Sequence, residues 1–408
     1  MAGIAALAAA YILSQFYRSF LAVLTPALTA ELGATKAELS AASGTWFAVF
    51  ALAQFAVGIS LDRYGPRRTA AVLLAGCGGG GAILFALATA PWMVIAAMAL
   101  IGLGCAPVLM ASVFIFAKSY SSARLAILTS WLVGFGTLGN VVGAAPLAAA
   151  AEAFGWREVM MGLAAITIAV ALAIYTLVRD PETSAEETAA NTGLAGYLEL
   201  FKLRLLWPLL PLIALNYAAA AGIRGLWAGP YLADVYGAEA LLIGQVTLFM
   251  ALAMVAGSFV YGPMDQIFGT RKWVAVTGNT LSLAALSWLA FFPITSIAQT
   301  TVLFVLVGIC GGSYGLLMAH GRAFVPAHLT GRGVTLLNFF SIGGAGLMQF
   351  ATGAVVTVST VEGEPVAAYR NLFIFYAGML AVSLLIYLFA RDARPTESRP
   401  AVRPLRQE

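Results

Sequence analysis

The stretch GISLDRYGPRR, residues 58–68, is a charged segment between two long apolar runs. It holds one aspartate and three arginines, whereas the runs near 40–61 and 68–89 that flank it are otherwise apolar. A run of about 20 apolar residues is long enough to cross the hydrocarbon core of a bilayer. The stretch therefore predicts a short polar loop that joins two membrane-spanning helices.

The composition of the whole chain is typical of a membrane protein. Of its 408 residues, 61% are hydrophobic and only 10% are charged, and the mean hydropathy is +0.91. Soluble proteins keep about a quarter of their residues charged. The net charge of +4 does not indicate nucleic-acid binding, because the basic residues lie in short loops between apolar runs. Cys77, Cys105 and Cys310 lie within apolar segments without metal-ligand spacing, so we expect packing residues, no metal site and no cofactor.

Twelve apolar runs can be marked along the chain, six on either side of a polar break. They lie near residues 4–30, 40–61, 68–89, 92–117, 124–150, 158–178, 206–235, 241–262, 273–292, 299–321, 332–358 and 371–390. The break ends in YLELFKLR, residues 197–204, whose apolar positions suit a short helix at the membrane interface. We expect an all-α polytopic membrane protein with a six-helix bundle in residues 1–178, a linker in 179–203, a second six-helix bundle in 204–390 and a tail in 391–408.

The two halves of the chain resemble each other. Pro26, Leu28 and Gly33 at the end of the first run recur with the same spacing as Pro230, Leu232 and Gly237 at the end of the seventh. An internal duplication in a membrane protein indicates a transporter built from two related bundles, with the ligand site between them near the midplane. The sequence therefore predicts two pseudo-symmetric bundles around a central site.

The distribution of Lys and Arg predicts the orientation. If both termini are cytoplasmic, the cytoplasmic segments hold 17 of the 22 basic residues and the outer loops hold three, while two lie within the runs. Cytoplasmic loops carry the excess of Lys and Arg. We therefore expect a multi-pass protein of the plasma membrane (a bacterial inner membrane) with both termini in the cytoplasm, and a first run that is retained as a helix because it lacks a basic n-region.

The charged stretch resembles the G-x3-D-R-x-G-x-R-R loop of the major facilitator superfamily, and YGPMDQIFGTRK, residues 261–272, resembles a degenerate second copy. The resemblance covers almost the whole chain and implies a secondary transporter that works by alternating access. It also implies that the loop residues control gating through ion pairs and contacts at helix ends: Gly58, Asp62, Arg63, Gly65, Arg67 and Arg68, with Asp265 and Arg271 in the second copy. The alternative is that the basic residues only hold the loop in the cytoplasm.

Two arginines lie deep within apolar runs. Arg18 and Arg224 have no acidic neighbour in their own runs, and a cation at the bilayer centre costs about 2.5–3.5 kcal/mol on insertion scales. A guanidinium group offers a fixed fork of donors that matches a carboxylate or phosphate. The pair therefore predicts a site for an anion, and organic-anion and organophosphate members of the superfamily, which the chain resembles here, carry arginines in the same two spans. The alternative is that each arginine binds backbone carbonyl groups at a helix break.

Polar and aromatic residues near the two arginines complete the predicted site. Tyr11, Ser14, Gln15, Arg18 and Thr25 fall on one side of a continuous helix, as do Tyr217, Arg224, Trp227 and Tyr231. The predicted substrate-binding residues are Arg18, Arg224, Tyr17, Ser14, Gln15, Tyr217, Asn216, Trp227, Tyr231, Tyr314, Asn140 and Asn338. The asparagines line the cavity or bond between helices, and both interpretations stay open.

His320 is the histidine nearest to the predicted cavity, so it is the candidate for proton coupling, although a hydrogen bond at a helix end explains it equally well. We expect a carrier for a small organic anion, coupled to a proton or to an exchanged anion, that acts as a monomer in the lipid bilayer. No constellation of catalytic residues indicates an enzyme. Two alternatives remain: efflux of an amphipathic compound, and a transporter-like sensor that binds a ligand without moving it.

Overall fold

The computed structural model describes residues 2–119, 122–180, 195–326, 330–360 and 364–393, and these are almost entirely helical. Twelve helices form the body of the described protein and are numbered here in chain order. They are α1 (Ala2–Phe16 and Leu21–Leu32), α2 (Lys36–Tyr64), α3 (Pro66–Leu73, Leu74–Gly79 and Gly80–Ala86), α4 (Pro91–Ser119), α5 (Ser122–Val142 and Ala145–Phe154), α6 (Trp156–Leu177), α7 (Leu210–Gly222, Ile223–Trp227 and Ala228–Tyr236), α8 (Ala240–Phe268), α9 (Lys272–Phe291), α10 (Ile297–Gly311 and Tyr314–Arg322), α11 (Thr330–Ser359) and α12 (Pro365–Tyr387). The prediction of an all-α fold with twelve membrane helices is confirmed.

Most of these helices qualify as membrane spans by length and composition alone. Within the described ranges ten do so, and the bent helix α1 makes an eleventh. The remaining helix, α7, contains Asn216 and Arg224, which lower its mean hydropathy. The short helix Ala195–Phe201 precedes α7, and its Leu200 packs against Leu336 of α11. A helix therefore lies where the sequence predicted one at the membrane interface, and it is held against the second half of the chain.

Helix α1 is broken at the position of Arg18. Its two pieces meet at an angle of 52° across residues 17–20. In the break the backbone N–H groups of Arg18 and Ser19 donate to carbonyl groups three residues back, at 3.3 and 3.0 Å, and the Ser19 hydroxyl also donates to the Phe16 carbonyl. These tight turns replace the helical pattern, in which each N–H donates four residues back. The break therefore turns the second piece of α1 away from the face predicted for Tyr11 to Thr25.

Helix α7 contains a wider turn at the position of Arg224. Residues Ile223–Trp227 form a π-helical segment, in which the hydrogen bonds run five residues back. Such a segment adds a residue to the turn and rotates the rest of the helix relative to the start. The face that carries Tyr217 is for this reason not the face that carries Trp227 and Tyr231.

One end of the molecule carries the last residues of α2, α4, α6, α8 and α10. We call it the basic end because it carries the two copies of the charged motif. Two carboxylates there cap the starts of α3 and α9. The Arg67 N–H donates to Asp180 Oδ1 at 2.8 Å, and the Lys272 N–H donates to Asp392 Oδ1 at 3.0 Å. Burial alone would raise the pKa of Asp392, but hydrogen bonds from Thr270 and from two backbone N–H groups outweigh it and lower this pKa. The two caps repeat the duplication of the sequence in three dimensions.

The opposite end holds the two halves of the chain together. Between the halves, Lys36 Nζ lies 2.5 Å from Asp234 Oδ2, and the Tyr369 hydroxyl donates to the same oxygen at 2.6 Å. Within the first half, Arg157 lies 3.6 Å from Glu31. We call the group Lys36, Asp234 and Tyr369 the inter-bundle latch.

Small residues let the halves approach closely near the latch. A Cβ atom on Gly225 would lie 2.9 Å from the Arg18 carbonyl oxygen, and one on Gly229 would overlap the Ala22 carbonyl oxygen. Helices α1 and α7 therefore cross backbone to backbone, as small residues permit in membrane proteins. The halves are packed together at this end.

Candidate functional site

A cavity of about 280 Å³ lies between the two halves of the chain. Its lining residues in α2, α4, α7, α8, α10 and α11 come from the parts of those helices nearer to the basic end. Six of the predicted binding residues line it: Gln15, Arg18, Asn140, Tyr217, Tyr314 and Asn338. The cavity therefore faces the basic end, while the latch closes the other.

Arg18 reaches the cavity from the break in α1. Its guanidinium carbon lies 4.9 Å from the ring centre of Phe50 and 5.4 Å from that of Trp46. The faces of these rings attract a cation but offer no hydrogen-bond acceptor. The Arg18 Nε atom is buried and has no hydrogen-bond partner among the described residues. The side chain thus packs over two aromatic rings and hydrogen-bonds with Tyr217, while its Nε donor stays unpaired.

Arg224 lies behind the cavity wall. It is only 2% exposed, and its Nη2 donates to Asn140 Oδ1 at 3.0 Å. Asn140 itself lines the cavity. The Arg224 Nε atom is buried without a partner among the described residues. Arg224 therefore acts on the cavity through Asn140 in this conformation and does not line it directly.

Three tyrosines and their amide partners form the polar part of the wall. The Gln15 amide nitrogen lies 2.9 Å from the Tyr11 hydroxyl, and the Tyr314 hydroxyl donates to Asn338 Oδ1 at 2.8 Å. The Tyr217 and Tyr314 rings lie 5.9 Å apart. Among the described lining residues there is no aspartate, glutamate or histidine. The positive charge of Arg18 therefore has no counter-charge in the wall.

Besides Arg224, five predicted binding residues do not reach the cavity wall. Tyr17 is fully buried, with its hydroxyl 3.0 Å from Thr167 of α6. Asn216 donates to Asn279 and Ser313 within the second half of the chain. The others are Ser14, which is buried inside the first half, Trp227, whose indole N–H donates to Thr352, and Tyr231, whose hydroxyl donates to the Pro293 carbonyl. The wide turn in α7 separates Trp227 and Tyr231 from the cavity-lining face of that helix. Ser14, Tyr17 and Asn216 precede the irregular turns and lie on other faces of their helices.

His320 also lies away from the cavity. Its Nε2 atom lies 2.9 Å from the Arg391 carbonyl oxygen, and its Nδ1 atom lies 2.6 Å from the Tyr387 hydroxyl. A carbonyl oxygen only accepts, so Nε2 carries the proton and Nδ1 accepts from the tyrosine. Both ring nitrogens are occupied in the packing of α10 against α12. The geometry favours the hydrogen-bonded role over the coupling role that the sequence left open.

The predicted gating residues lie at the basic end. Gly65 has a φ of 82°, a backbone conformation that favours glycine, where α2 passes into α3. Arg63 and Arg68 are exposed there, Arg67 pairs with Asp180, and Arg271 pairs with Asp265 at 3.0 Å. A Cβ atom on Gly58 would meet no atom within 4 Å, and the side chain of Asp62 falls outside the described part of the structure.

The sequence reading missed several residues of the cavity wall. Gln54, Phe50, Ser258 and Thr137 line it. The sequence could have indicated Gln54, because a glutamine in the middle of an apolar run needs polar partners, as a buried arginine does. It could not have indicated Phe50 and Trp46, because an aromatic residue in an apolar run gives no indication of a nearby cation.

Known transporters share the sequence pattern and the fold. The sequence profile of the Major Facilitator Superfamily matches residues 7–227 and 209–407. A probable L-galactonate transporter of Escherichia coli (strain K12) is 24% identical over 93% of this chain and 86% of that protein. Among solved structures, a bacterial homolog to the human lysosomal transporter Spinster, inward-facing and occupied, has a TM-score of 0.76 at 18% identity, over 95% of this chain and 96% of that one. A D-xylose-proton symporter has a TM-score of 0.75 at 13% identity, over 95% and 97% of the two chains.

The family match covers nearly the whole chain, and the solved structures share the arrangement of helices around a central cavity. The chain belongs to the Major Facilitator Superfamily of membrane transporters.

Proposed function

We propose that the protein carries a small organic anion across the plasma membrane by alternating access, with Arg18 as the residue that binds the anionic group. The observation that carries this proposal is the Arg18 guanidinium, which lines the cavity with its Nε donor unpaired and with no acidic residue among the described lining residues. An anionic cargo would supply the missing counter-charge. The Escherichia coli relative is named for an organic anion, which supports the same class of cargo.

The direction of the cavity supports an opening on the cytoplasmic side in this state. The basic residues of the chain concentrate at the end that the cavity faces, and such an excess marks the cytoplasmic side. The basic end is then cytoplasmic, and the latch lies on the outer side. The cargo would enter or leave the cavity through the basic end in the state described here.

Binding of carboxylates to the purified protein tests the role of Arg18. Arg18→Ala removes two charge-assisted hydrogen bonds, worth about 3 kcal/mol in total, so affinity should fall about a hundredfold. Arg18→Lys should lose nearly as much, because the lysine keeps the charge but not the fork of donors. Arg370→Ala, at an exposed arginine outside the cavity, is the matched control and should bind normally.

The melting temperature of each variant separates binding from folding. Arg18→Ala should melt at the wild-type temperature or above, because an intramembrane charge is removed. Normal binding together with a much lower melting temperature would make Arg18 a structural residue and refute the proposal.

A further inference from the structure

Gln54 is a buried glutamine whose amide orientation is fixed by its surroundings. It lies on α2 in the cavity wall and is only 4% exposed. Its Nε2 atom lies 3.3 Å from the Phe50 carbonyl oxygen and 3.3 Å from the Ala106 carbonyl oxygen of α4. Both partners only accept hydrogen bonds, so the nitrogen and not the oxygen must face them. The Oε1 atom is therefore turned away from the two backbones and toward the cavity.

The side-chain amide of Asn140 has the opposite orientation to that of Gln54, with its oxygen bonded and its nitrogen free among the described residues. Its Oδ1 accepts from Arg224, and a guanidinium group only donates, so this oxygen cannot be exchanged with the amide nitrogen. The Nδ2 donors are then left for the cavity. Asn140 follows Gly139, which packs directly on the backbone of α1 beside Ile12 and Phe16. The wall near Arg18 thus offers donors, which suit an anion, whereas Gln54 offers an acceptor.

The acceptor is displaced from the anion site along α2. Phe50, under the Arg18 guanidinium, precedes Gln54 by four residues, which corresponds to about 6 Å along a helix axis. The displacement points toward the basic end. A cargo whose anionic group binds Arg18 would place an atom several bonds away beside Gln54 Oε1.

We propose that the cargo is a hydroxylated monocarboxylate. Its carboxylate binds Arg18, and a hydroxyl group several bonds away in the same molecule donates to Gln54 Oε1. This rests on the proposed function and adds the chemistry of the second contact. No donor from the described residues reaches Gln54 Oε1, so a cargo that displaces water from this part of the cavity must donate a hydrogen bond or leave the acceptor unpaired. A plain fatty acid supplies none, and a dicarboxylate brings a second acceptor to the same place.

A single charge also fits the wall better than a phosphate dianion. Arg18 lines the cavity, but Arg224 is buried behind Asn140. The cavity therefore presents one guanidinium group, which matches one carboxylate. We accordingly place carboxylates before phosphate esters as cargo.

Titration of purified full-length protein with matched ligands tests the proposal. The probes are a panel of six-carbon polyhydroxy monocarboxylates (gluconate and its epimers), hexanoate, adipate and a hexose 6-phosphate. At least one member of the panel should bind at least tenfold more tightly than hexanoate or adipate, since one hydrogen bond to a buried partner is worth about tenfold. Tighter binding of the hexose phosphate than of every panel member would overturn the choice of a carboxylate.

The variant Gln54→Leu should lose this preference specifically. Its affinity for the hydroxylated ligand should fall about tenfold, while its affinity for hexanoate stays level or rises. Gln349→Leu is the matched control, because Gln349 is also buried, does not line the cavity, and has no partner for its side-chain nitrogen or oxygen among the described residues. This control should keep the wild-type preference.

Two outcomes would refute the inference. One is a Gln54→Leu protein that keeps the wild-type preference, and the other is a wild-type protein that binds hexanoate or adipate as well as any hydroxylated acid or binds no panel member. If Arg18 does not bind the anionic group of the cargo, the result is different, because Arg18→Ala would then bind every ligand as the wild type does.

Discussion

Breaking the inter-bundle latch should shift the transporter toward the state that is open at the end where the latch lies. Asp234→Ala removes the ion pair with Lys36 and the hydrogen bond from Tyr369 together. The side chains of the pair are 26% and 33% exposed, so the pair should contribute about 0.5 kcal/mol, near the range measured at protein surfaces. A hydrogen bond to a charged group adds about 1.5 kcal/mol. The total of about 2 kcal/mol corresponds to about a thirtyfold change in the ratio of the two states.

The assay measures the distribution of distances between two spin labels, one on each half of the chain, at the end where the latch lies. The Asp234→Ala protein should populate a longer distance that the wild type hardly shows. Tyr369→Phe removes only the hydrogen bond, so its shift should be smaller than that of Asp234→Ala.

Glu31→Ala provides the control at the same end. Its ion pair with Arg157 lies within one half, so opening leaves it intact and its loss should not change the distance. If Asp234→Ala shifts the distribution no further than Glu31→Ala does, the latch does not stabilise the closed end and the reasoning is wrong.

Three further predictions concern single side chains. His320→Gln should melt at a lower temperature, because two buried hydrogen bonds are disturbed, yet its pH profile of uptake should match the wild type; a changed profile would give His320 a part in coupling. Gly229→Ala should lengthen the distance between the labels at the latch end, because the added methyl overlaps the Ala22 carbonyl oxygen. An unchanged distance would contradict the close crossing of α1 and α7. The pKa of Asp392 is lowered on folding, so its carboxylate stabilises the protein above its ordinary pKa and this contribution is lost as the pH falls through the folded-state pKa. The difference in melting temperature between wild type and Asp392→Asn should accordingly be constant from pH 7 to about 4 and shrink below that, whereas a difference that stays constant at lower pH would contradict it.

The sequence predicted the helices and the central arginine because both depend on local chemistry. Twelve apolar runs of sufficient length must be buried in a membrane, and a charge such as Arg18 within a run needs a partner whatever the surroundings. The sequence did not predict which residues cap the helices or where the helices cross. The acceptor for the Arg67 N–H, for example, is Asp180, 113 residues away.

The wall of the cavity was predicted only in part, because a helical projection assumes a regular helix. The second piece of α1 turns away at the break after Arg18, so Thr25 does not share a face with Tyr11. The wide turn in α7 similarly separates Trp227 from Tyr217. Gln54 depends on a carbonyl oxygen of α4 that no sequence pattern indicates. Irregular backbone at the site itself is what limits prediction there.

The position of Trp46 has a spectroscopic consequence. Its ring is fully buried and lies 5.4 Å from the Arg18 guanidinium carbon, whereas the chain holds eight tryptophans in all. An anion that neutralises Arg18 changes the electric field across this indole ring, which is shielded from water. Binding should therefore alter the fluorescence of the protein, and Trp46→Phe should remove most of that signal. The site carries its own optical reporter, so cargo can be identified by titration without an attached dye.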